Sequence, residues 1–481
     1  MQKQFFLYII FFFTIGNVYP QDTIPEYALA LSKFIQKTSL QYHEREAGIY
    51  FLNLCKEKGL HIRLLDTANQ SMNFAASLYP LSSGKPNLIL LNHLDVVSAG
   101  DTLNWKYPPF SGIIKDHYVW GRGAIDNKGM AIAELFAVSK FLKENKQEEL
   151  PFNVSILSVS DEEKGGKRGA IPIAKNYLHL LNPFLMLGEG GSGVRGVLVS
   201  DSNRAVFGTS TLEKSRLILK LDLTLKSSGH GSMPPKEYAT KAMVIALEKL
   251  LNRKQEIIFS PIPVQSFKTL GKAEKGLRGF ILRNLTFFAF KPIVKKEIKK
   301  DPMISPFFTN TIALTNLSAL NTDQNQISNR ISAILDCRLI PTTETKQFIR
   351  QVKHKLSDRR IKISILHEER TGKRTIIPSY YMALSKALEQ VYPNSLKVEI
   401  IFPATTDNYI FRMKGVPVFG LFPAVFTREE LKSTHTVNEK IHIDRLTNGI
   451  KAYFAFLNNI KALKQSDPEN RETGQKKVRD Y

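Results

Sequence analysis

Residues 87 to 95 read NLILLNHLD, an apolar run that passes directly into a histidine and an aspartate. An apolar run without polar alternation predicts a strand that is buried on both faces, as in a parallel sheet. The same pattern recurs at residues 153 to 163 (NVSILSVSDEE) and 184 to 189 (FLMLGE). A helical pattern at residues 129 to 143 lies between the first two strands. This order of elements predicts an α/β domain with a mostly parallel central sheet flanked by helices.

The pattern changes between residues 213 and 368, where apolar and polar residues alternate. Such alternation at 216 to 225 (RLILKLDLTL), 332 to 339 and 361 to 366 predicts strands with one face toward solvent. A helical pattern follows each of the first two strands, which favours an inserted α+β, ferredoxin-like lid domain.

The domain boundaries follow from these two patterns. We expect the main domain at residues 22–212 and 369–464 and the lid domain at residues 213–368. The tail at residues 465–481 is polar and lacks an apolar face, so we expect it to be disordered.

Composition excludes several classes of protein. Of the 481 residues, 43% are hydrophobic and 23% charged, which excludes a wholly disordered, collagen-like or coiled-coil chain. Two cysteines, Cys55 and Cys337, exclude a disulfide scaffold, and we expect both to be buried free thiols. The net charge of +23 favours anionic partners without choosing among them.

The N-terminus resembles a targeting segment. Lys3 precedes an apolar run from Phe5 to Ile15, which is too short for the ~20 residues that span a bilayer. We therefore predict a signal peptide at residues 1–21 and export to the periplasm or the medium. The alternative is an uncleaved membrane anchor.

Residues 265–305 form a basic and apolar insertion in the lid domain. Aromatic and aliphatic side chains, among them Phe280, Ile281, Leu282, Phe287, Phe288 and Phe290, are mixed with ten lysines and arginines between Lys268 and Lys300. One interpretation is a helical segment that packs its apolar face on the lid. The other is a surface that contacts an anionic membrane or guides an amphiphilic substrate.

Polar side chains follow the predicted buried strands, where open α/β sheets bind their ligands. The candidates are His93, Asp95, Asp126, Glu162, Glu163, Glu189 and His435. Each has an ordinary structural interpretation when taken alone, but together they form a mixed N/O ligand set that suits zinc and, less selectively, manganese or cobalt.

The spacing within these motifs suggests different roles. Asp95 lies two residues after His93 on an extended chain, so its carboxylate can accept the second ring N–H of that histidine. The two oxygens of Asp126 can bridge two metal ions about 3.5–4 Å apart. Adjacent side chains diverge, so one of Glu162 and Glu163 can bind metal while the other accepts a proton from the attacking water.

Six stretches resemble the motifs of the co-catalytic dizinc aminoacylase/carboxypeptidase family, in that family's order. The stretches are LLNHLDVV (90–97), WGRGAIDNKG (120–129), SVSDEEKGG (158–166), LGEGG (187–191), SSGHGSMPP (227–235) and STHTVNEKI (433–441). The insertion and the last two motifs are most similar to the branch that contains carboxypeptidase S and the secreted N-fatty-acyl-amino-acid synthase/hydrolase.

The resemblance implies two zinc sites that share Asp126. His93 and Glu189 would complete one site, and Glu163 and His435 the other, although which glutamate serves which ion stays open. Glu162 would be the general base.

The resemblance also implies a substrate site. Asp95 would orient His93, and His230 of the lid would hydrogen-bond the scissile carbonyl oxygen, across the subunit interface in dimeric members. Asn325 and Arg338 would hold the substrate carboxylate, since an arginine can clamp a carboxylate with two parallel bonds.

The sequence departs from the family pattern at two places near the site. Gly188 stands where close relatives often carry aspartate, which leaves Glu189 as the expected ligand. The turn Ala404-Thr405-Thr406-Asp407 replaces a Gly-Gly-Thr/Ser-Asp turn, and we expect Thr406 and Asp407 to support His435.

The function that follows is hydrolysis of an amide or peptide bond next to a free α-carboxylate, in a small molecule or short peptide. The alternative is a non-catalytic exported binding protein on the same fold. A nucleic-acid partner is not expected, because no DNA-binding or RNA-binding motif is recognisable. A membrane-surface contact and a homodimer remain open.

Overall fold

The computed structural model describes residues 24–145, 149–226, 228–253, 255–300, 304–319, 324–374 and 376–466. The predicted signal peptide and nearly all of the predicted tail lie outside these residues. None of the helices within them is both long and apolar enough to cross a bilayer.

The described residues form fourteen α-helices and nineteen β-strands. The helices are α1 (Glu26–Gln36), α2 (Arg45–Glu57), α3 (Lys128–Glu144), α4 (Ala170–Asn176), α5 (Leu178–Leu181), α6 (Ala239–Asn252), α7 (Pro261–Ala273), α8 (Gly276–Arg283), α9 (Lys291–Lys300), α10 (Thr345–Leu356), α11 (Pro378–Val391), α12 (Asn408–Arg412), α13 (Arg428–Ser433) and α14 (Ile443–Ser466). The strands are β1 (His61–Asp66), β2 (Asn73–Ser77), β3 (Asn87–His93), β4 (Ile114–Lys115), β5 (Tyr118–Trp120), β6 (Asn153–Val159), β7 (Pro183–Gly188), β8 (Ser192–Val194), β9 (Val206–Glu213), β10 (Ser215–Thr224), β11 (Gly229–His230), β12 (Thr311–Ala319), β13 (Gln326–Ile327), β14 (Arg330–Leu339), β15 (Lys362–Glu369), β16 (Leu396–Phe402), β17 (Val418–Gly420), β18 (Val425–Phe426) and β19 (Lys440–His442).

A ten-stranded sheet organises the larger part of the molecule. Its order is β1-β2-β6-β3-β7-β17-β9-β8-β18, with β16 also paired to β9, and its centre, β6-β3-β7-β17, is parallel. In β3, Leu88 and Leu90 face a core with α1, α2, α3, α11 and α14, while Ile89 and Leu91 face a core with α4, α5 and α12. The α/β class is confirmed, since burial on both faces explains the unbroken apolar run.

A separate four-stranded antiparallel sheet, in the order β12-β14-β10-β15, forms the lid. The chain leaves β9 and enters β10 at Lys214, and β15 ends at Glu369. Along β14 the odd-numbered residues are buried against α6 and α10, and Cys337 among them is a free thiol like Cys55.

The lid's edge strand β12 was not anticipated from the sequence. Seven of its nine residues, from Ala313 to Ala319, are exposed. An edge strand without a buried face has no solvent–core alternation to reveal it.

The basic insertion forms helices α7, α8 and α9, and its first helix packs on the catalytic sheet, whereas the first interpretation expected packing on the lid. Leu270 of α7 joins a core with Val206 of β9 and Val398 of β16. The Ser266 hydroxyl also donates a hydrogen bond to the Glu399 carbonyl oxygen. The expectation of lid packing is therefore wrong for α7, because β9 and β16 of the catalytic sheet offer the apolar surface that this helix covers. Helix α9 instead buries Val294 and Ile298 with Ile257 and Phe308.

Candidate active site

Three parallel strands deliver polar side chains to one edge of the large sheet. His93 is the last residue of β3, Glu162 and Glu163 follow β6 after a two-residue turn, and Glu189 follows β7 directly. The carboxyl ends of parallel strands meet at one edge, so these four side chains converge. Asp126, from the loop before α3, and His435, from the loop after α13, complete the cluster.

Asp126 lies between the two histidines. Its Oδ1 is 3.0 Å from His93 Nε2, and its Oδ2 is 3.0 Å from His435 Nε2. Glu189 Oε2 lies 3.5 Å from His93 Nε2, and Glu163 Oε1 lies 3.1 Å from His435 Nε2. The result is two groups, each with one imidazole and one carboxylate, that share a central carboxylate.

Asp95 contacts its neighbours differently from the expectation. His93 Nδ1 lies 2.9 Å from the main-chain oxygen of Asp95 and 3.6 Å from its carboxylate. The carboxylate instead accepts hydrogen bonds from the backbone N–H groups of Glu162 (3.1 Å) and Glu163 (3.0 Å). Asp95 therefore ties β3 to the turn that carries both glutamates, and its carbonyl, rather than its carboxylate, orients the ring.

Glu439 is a site residue to which the sequence analysis assigned no role. This buried carboxylate accepts backbone hydrogen bonds from Ile125 (2.9 Å) and Asp126 (3.2 Å) and pairs with Arg122 (2.7 Å). It thereby links the loop of Asp126 to the segment that follows His435. In the sequence, only the position of Glu439 within the STHTVNEKI motif (433–441) pointed to this role.

Gly188 makes room for a contact to Glu189. The Asn408 side chain donates to the Glu189 carbonyl oxygen (2.6 Å), and Asn127 donates to the Glu189 carboxylate (2.7 Å). A Cβ at position 188 would lie 2.2 Å from Asn408 Oδ1. Glycine at position 188 therefore leaves space for the Asn408 side chain that contacts Glu189.

Thr406 does not support His435 as expected. Its hydroxyl donates to Glu213 Oε1 (2.7 Å), and Glu213 also pairs with Arg412 (2.9 Å). That expectation is wrong because Thr406 secures the turn to the end of β9, while Asp407 lines the cavity beside Glu162.

The acidic side chains of the cluster repel one another. Burial, together with the nearby Glu189, raises the pKa of Glu162 well above its usual range, and burial also raises the pKa of Glu163. Burial likewise raises the pKa of Asp407. The carboxylates thus outnumber the local positive charges, a balance that divalent cations would offset.

The pKa values of the two imidazoles are also raised, which favours the charged form of each ring. Hydrogen bonds to Asp126 and Glu163 raise the pKa of His435 to about 10. Burial alone would lower the pKa of His93, but Glu189, Asp126 and Asp95 raise it well above its usual range. Because Nδ1 of His93 faces a carbonyl oxygen, Nε2 is free to bind metal as a neutral ligand. The donor set therefore fits two zinc ions.

A cavity of about 400 Å³ joins this cluster to the lid. Its wall includes Glu162 and Phe402 from the catalytic domain and Arg216 and Arg338 from the lid. The Arg338 guanidinium is held by Asp336 (2.8 and 3.1 Å) and by the Thr405 hydroxyl (3.0 Å).

The other two predicted substrate residues lie away from this cavity wall. His230 and Asn325 are exposed on the short β11–β13 ribbon, where the Asn325 carbonyl accepts from Gly231 N–H (2.7 Å). The structure therefore brings together the seven predicted catalytic-domain residues and Arg338, but not His230 or Asn325.

Comparisons with solved structures agree with this architecture. The M20 family metallo-carboxypeptidase Sso-CP2 from Sulfolobus solfataricus matches with a TM-score of 0.68 and 20% identity, over 91% of this chain and 100% of that chain. Human carnosine dipeptidase 1 matches with a TM-score of 0.64 and 16% identity, over 91% of this chain and 96% of that chain. These likenesses establish the fold.

Sequence comparisons extend over most of the chain. It is 27% identical to the mouse N-fatty-acyl-amino acid synthase/hydrolase PM20D1, over 82% of this chain and 79% of that protein. It is 27% identical to a probable carboxypeptidase S-like 2 of Dictyostelium discoideum, over 78% and 72% of the two chains. The profile of peptidase family M20/M25/M40 matches residues 89–459, so the chain belongs to this family.

Proposed function

We propose that the protein is a zinc-dependent metallo-carboxypeptidase or N-acyl-amino-acid hydrolase, which cleaves an amide or peptide bond next to a free α-carboxylate. The observation that carries this proposal is Asp126, whose two oxygens face two histidines at equal distances. The family membership and the names of the relatives support the same reaction class.

Asp126 would be shared by two zinc sites, with His93 and Glu189 in one and His435 and Glu163 in the other. Cobalt or manganese would also suit these ligands. When bound, the ions would polarise the scissile carbonyl and favour deprotonation of the attacking water.

Glu162 is the general base of this proposal. It lines the cavity beside the proposed ligands, and its backbone N–H is held by the carboxylate of Asp95. Glu162 takes a proton from the attacking water and then delivers it to the leaving nitrogen, because the water oxygen and that nitrogen are bonded to the same carbon in the tetrahedral intermediate.

Arg338 would bind the substrate carboxylate. The two-pronged contact of its guanidinium with Asp336 supports this role, since the same fork can bind another carboxylate. A substrate carboxylate would replace Asp336 as the partner, and the net charge of +23 of the chain would attract such anions.

His230 and Asn325 would reach a substrate only through lid movement or a second copy of the chain. We favour a homodimer, since edge strand β12 exposes Leu314 and Leu317 at a free edge of the lid sheet. In this arrangement His230 would stabilise the carbonyl oxygen in the partner's cavity.

We further propose that the protein is exported, on the basis of the apolar N-terminal run from Phe5 to Ile15. The alternative of a non-catalytic binding protein has no support in the comparisons.

A substrate panel tests the proposed reaction. The purified, zinc-loaded protein is incubated with N-fatty-acyl amino acids, N-acetyl amino acids and dipeptides, and mass spectrometry follows each amide. We expect one class to be cleaved to a free amino acid, with no cleavage by a Glu162→Gln control. No cleavage of any class by the zinc-loaded wild type would contradict the proposal.

A further inference from the structure

The insertion ends in an exposed tip, which we define as residues 275–300: α8, the loop at 284–290, and α9. Five large apolar side chains there face solvent, an unusual density for one short segment. They are Leu277 (72% exposed), Phe280 (46%), Phe287 (49%), Phe288 (76%) and Ile293 (51%).

The same tip is strongly basic. Eight exposed cations surround the apolar side chains: Lys275, Arg278, Arg283, Lys291, Lys295, Lys296, Lys299 and Lys300. Glu297 is the one acid in this stretch of sequence, and it pairs with Lys300 at 2.9 Å. The tip therefore combines an apolar surface with a net charge that attracts anions.

A small core holds the tip in shape. Leu285, Val294 and Ile298 are buried with Phe308, so α9 uses a different face for folding from the one that exposes Ile293. The Phe287 ring lies 4.7 Å from the Phe288 ring and 5.5 Å from the Phe290 ring. The exposed phenylalanines are therefore presented by packed structure.

We propose that this tip is a docking surface for an anionic lipid bilayer. Phenylalanine and aliphatic side chains enter the boundary between head groups and acyl chains, while lysine stems lie along it and place their ammonium groups near lipid phosphates. Charge complementarity supplies the long-range attraction.

Two other occupants fit the tip less well. A second copy of the tip would bring two sets of eight cations together, which costs free energy through repulsion. A nucleic acid would match the charge and could stack bases on the exposed phenylalanines, but it would leave Leu277 and Ile293 without an apolar partner. A lipid surface is the partner that uses both the charges and the aliphatic side chains.

Docking would also orient the enzyme. Helix α7, at the base of the tip, packs on β16, whose last residue, Phe402, lines the catalytic cavity. A bilayer bound at the tip would therefore lie on the side of the catalytic domain that carries β16.

The test measures co-flotation of the zinc-loaded protein with vesicles of phosphatidylcholine, with or without phosphatidylglycerol. We expect binding to the anionic vesicles that falls as salt rises, and much weaker binding to the neutral ones. Lys295→Glu/Lys299→Glu should weaken binding about tenfold or more, given the contribution of about 1 kcal/mol per basic residue. Phe287→Ser/Phe288→Ser should also weaken binding about tenfold or more, because two apolar side chains no longer enter the bilayer boundary.

Matched variants control for exposure and charge. Leu103→Ser/Met382→Ser removes apolar side chains that are 92% and 69% exposed elsewhere, and Lys346→Glu/Lys353→Glu reverses exposed charges on α10. Both should bind vesicles like the wild type. Cleavage of a soluble substrate should be unchanged in the tip variants, so this test is separate from that of the catalytic proposal.

Three outcomes would overturn the proposal. They are no flotation of the wild type with anionic vesicles, flotation that survives both tip variants, and tip-dependent binding of an oligonucleotide or self-association without vesicle binding.

Discussion

The edge of the catalytic sheet and the β11–β13 ribbon of the lid both carry histidines predicted to act in one reaction. At the sheet edge, His93 and His435 each lie 3.0 Å from an oxygen of Asp126. On the ribbon, His230 is exposed and lies outside the cavity wall. The difference shows that the proposed metal ligands are assembled within the catalytic domain, by strand ends and by the loops before α3 and after α13. Substrate contacts, in contrast, depend on how the lid meets the cavity.

The largest expected effect is on the sheet edge. Glu162→Gln removes the proposed general base without changing the size of the side chain. We expect kcat to fall about 10³-fold to 10⁴-fold. Zinc content by mass spectrometry should stay near the wild-type value, since Glu162 is not among the proposed ligands. Near-full turnover in this variant would refute the mechanism.

The next effect tests whether the lid acts in another subunit. His230→Ala should lower kcat about 10²-fold to 10³-fold, because a donor to the developing oxyanion is lost. Equal mixing of Glu162→Gln and His230→Ala subunits should then recover about a quarter of the wild-type rate, from hybrid dimers with one intact site. No recovery after verified subunit exchange would instead indicate lid closure within one chain.

Arg338→Met tests the second lid residue, which differs from His230 because Arg338 lines the cavity and His230 does not. We expect KM to rise about 100-fold for substrates with a free carboxylate, through loss of a charged hydrogen-bonded contact. The same substrates with an amidated carboxylate should be cleaved equally by wild type and variant. An unchanged KM for the free acids would exclude Arg338 from substrate binding.

The smallest effect concerns Glu134, a fully buried residue of α3 that accepts a hydrogen bond from Asn92 (2.7 Å). Burial raises the pKa of Glu134 from 4.5 to about 8. The unfolded chain loses this proton at lower pH than the folded protein, so the group destabilises the fold as pH rises from about 4.5 to 8.

Between about pH 6 and pH 8, Glu134 should lower the free energy of unfolding of the wild type by about 2 kcal/mol. Glu134→Gln should not show this part of the decrease, because glutamine does not ionise. Urea unfolding at the two pH values measures this difference. Glu248→Gln, on the exposed face of α6 in the lid, is the control and should keep the wild-type pH dependence. An equal pH dependence in all three proteins would mean that Glu134 is ionised in the fold.

Much of the catalytic domain was predictable because its signals are local. The apolar run of β3 ends in His93, and parallel strands bring such ends together without further information. Edge strand β12 and the support by Glu439 were not predictable, because neither has a periodic or spacing signal. The role of Asp95 was misassigned because its short separation from His93 suggested a contact that the backbone of Glu162 and Glu163 replaces. The role of Thr406 was misassigned because the resemblance to the family's turn suggested His435, whereas the folded chain pairs Thr406 with Glu213.

The sequence by itself determined the fold class, the proposed metal ligands and the family. Buried strands and motifs of fixed order can be recognised from the pattern of neighbouring residues alone. Only the tertiary structure decided what the insertion packs against, which atoms orient His93, and which lid residues face the cavity. These features depend on contacts between segments far apart in the chain, where burial and hydrogen-bond geometry select among partners that the sequence leaves equivalent.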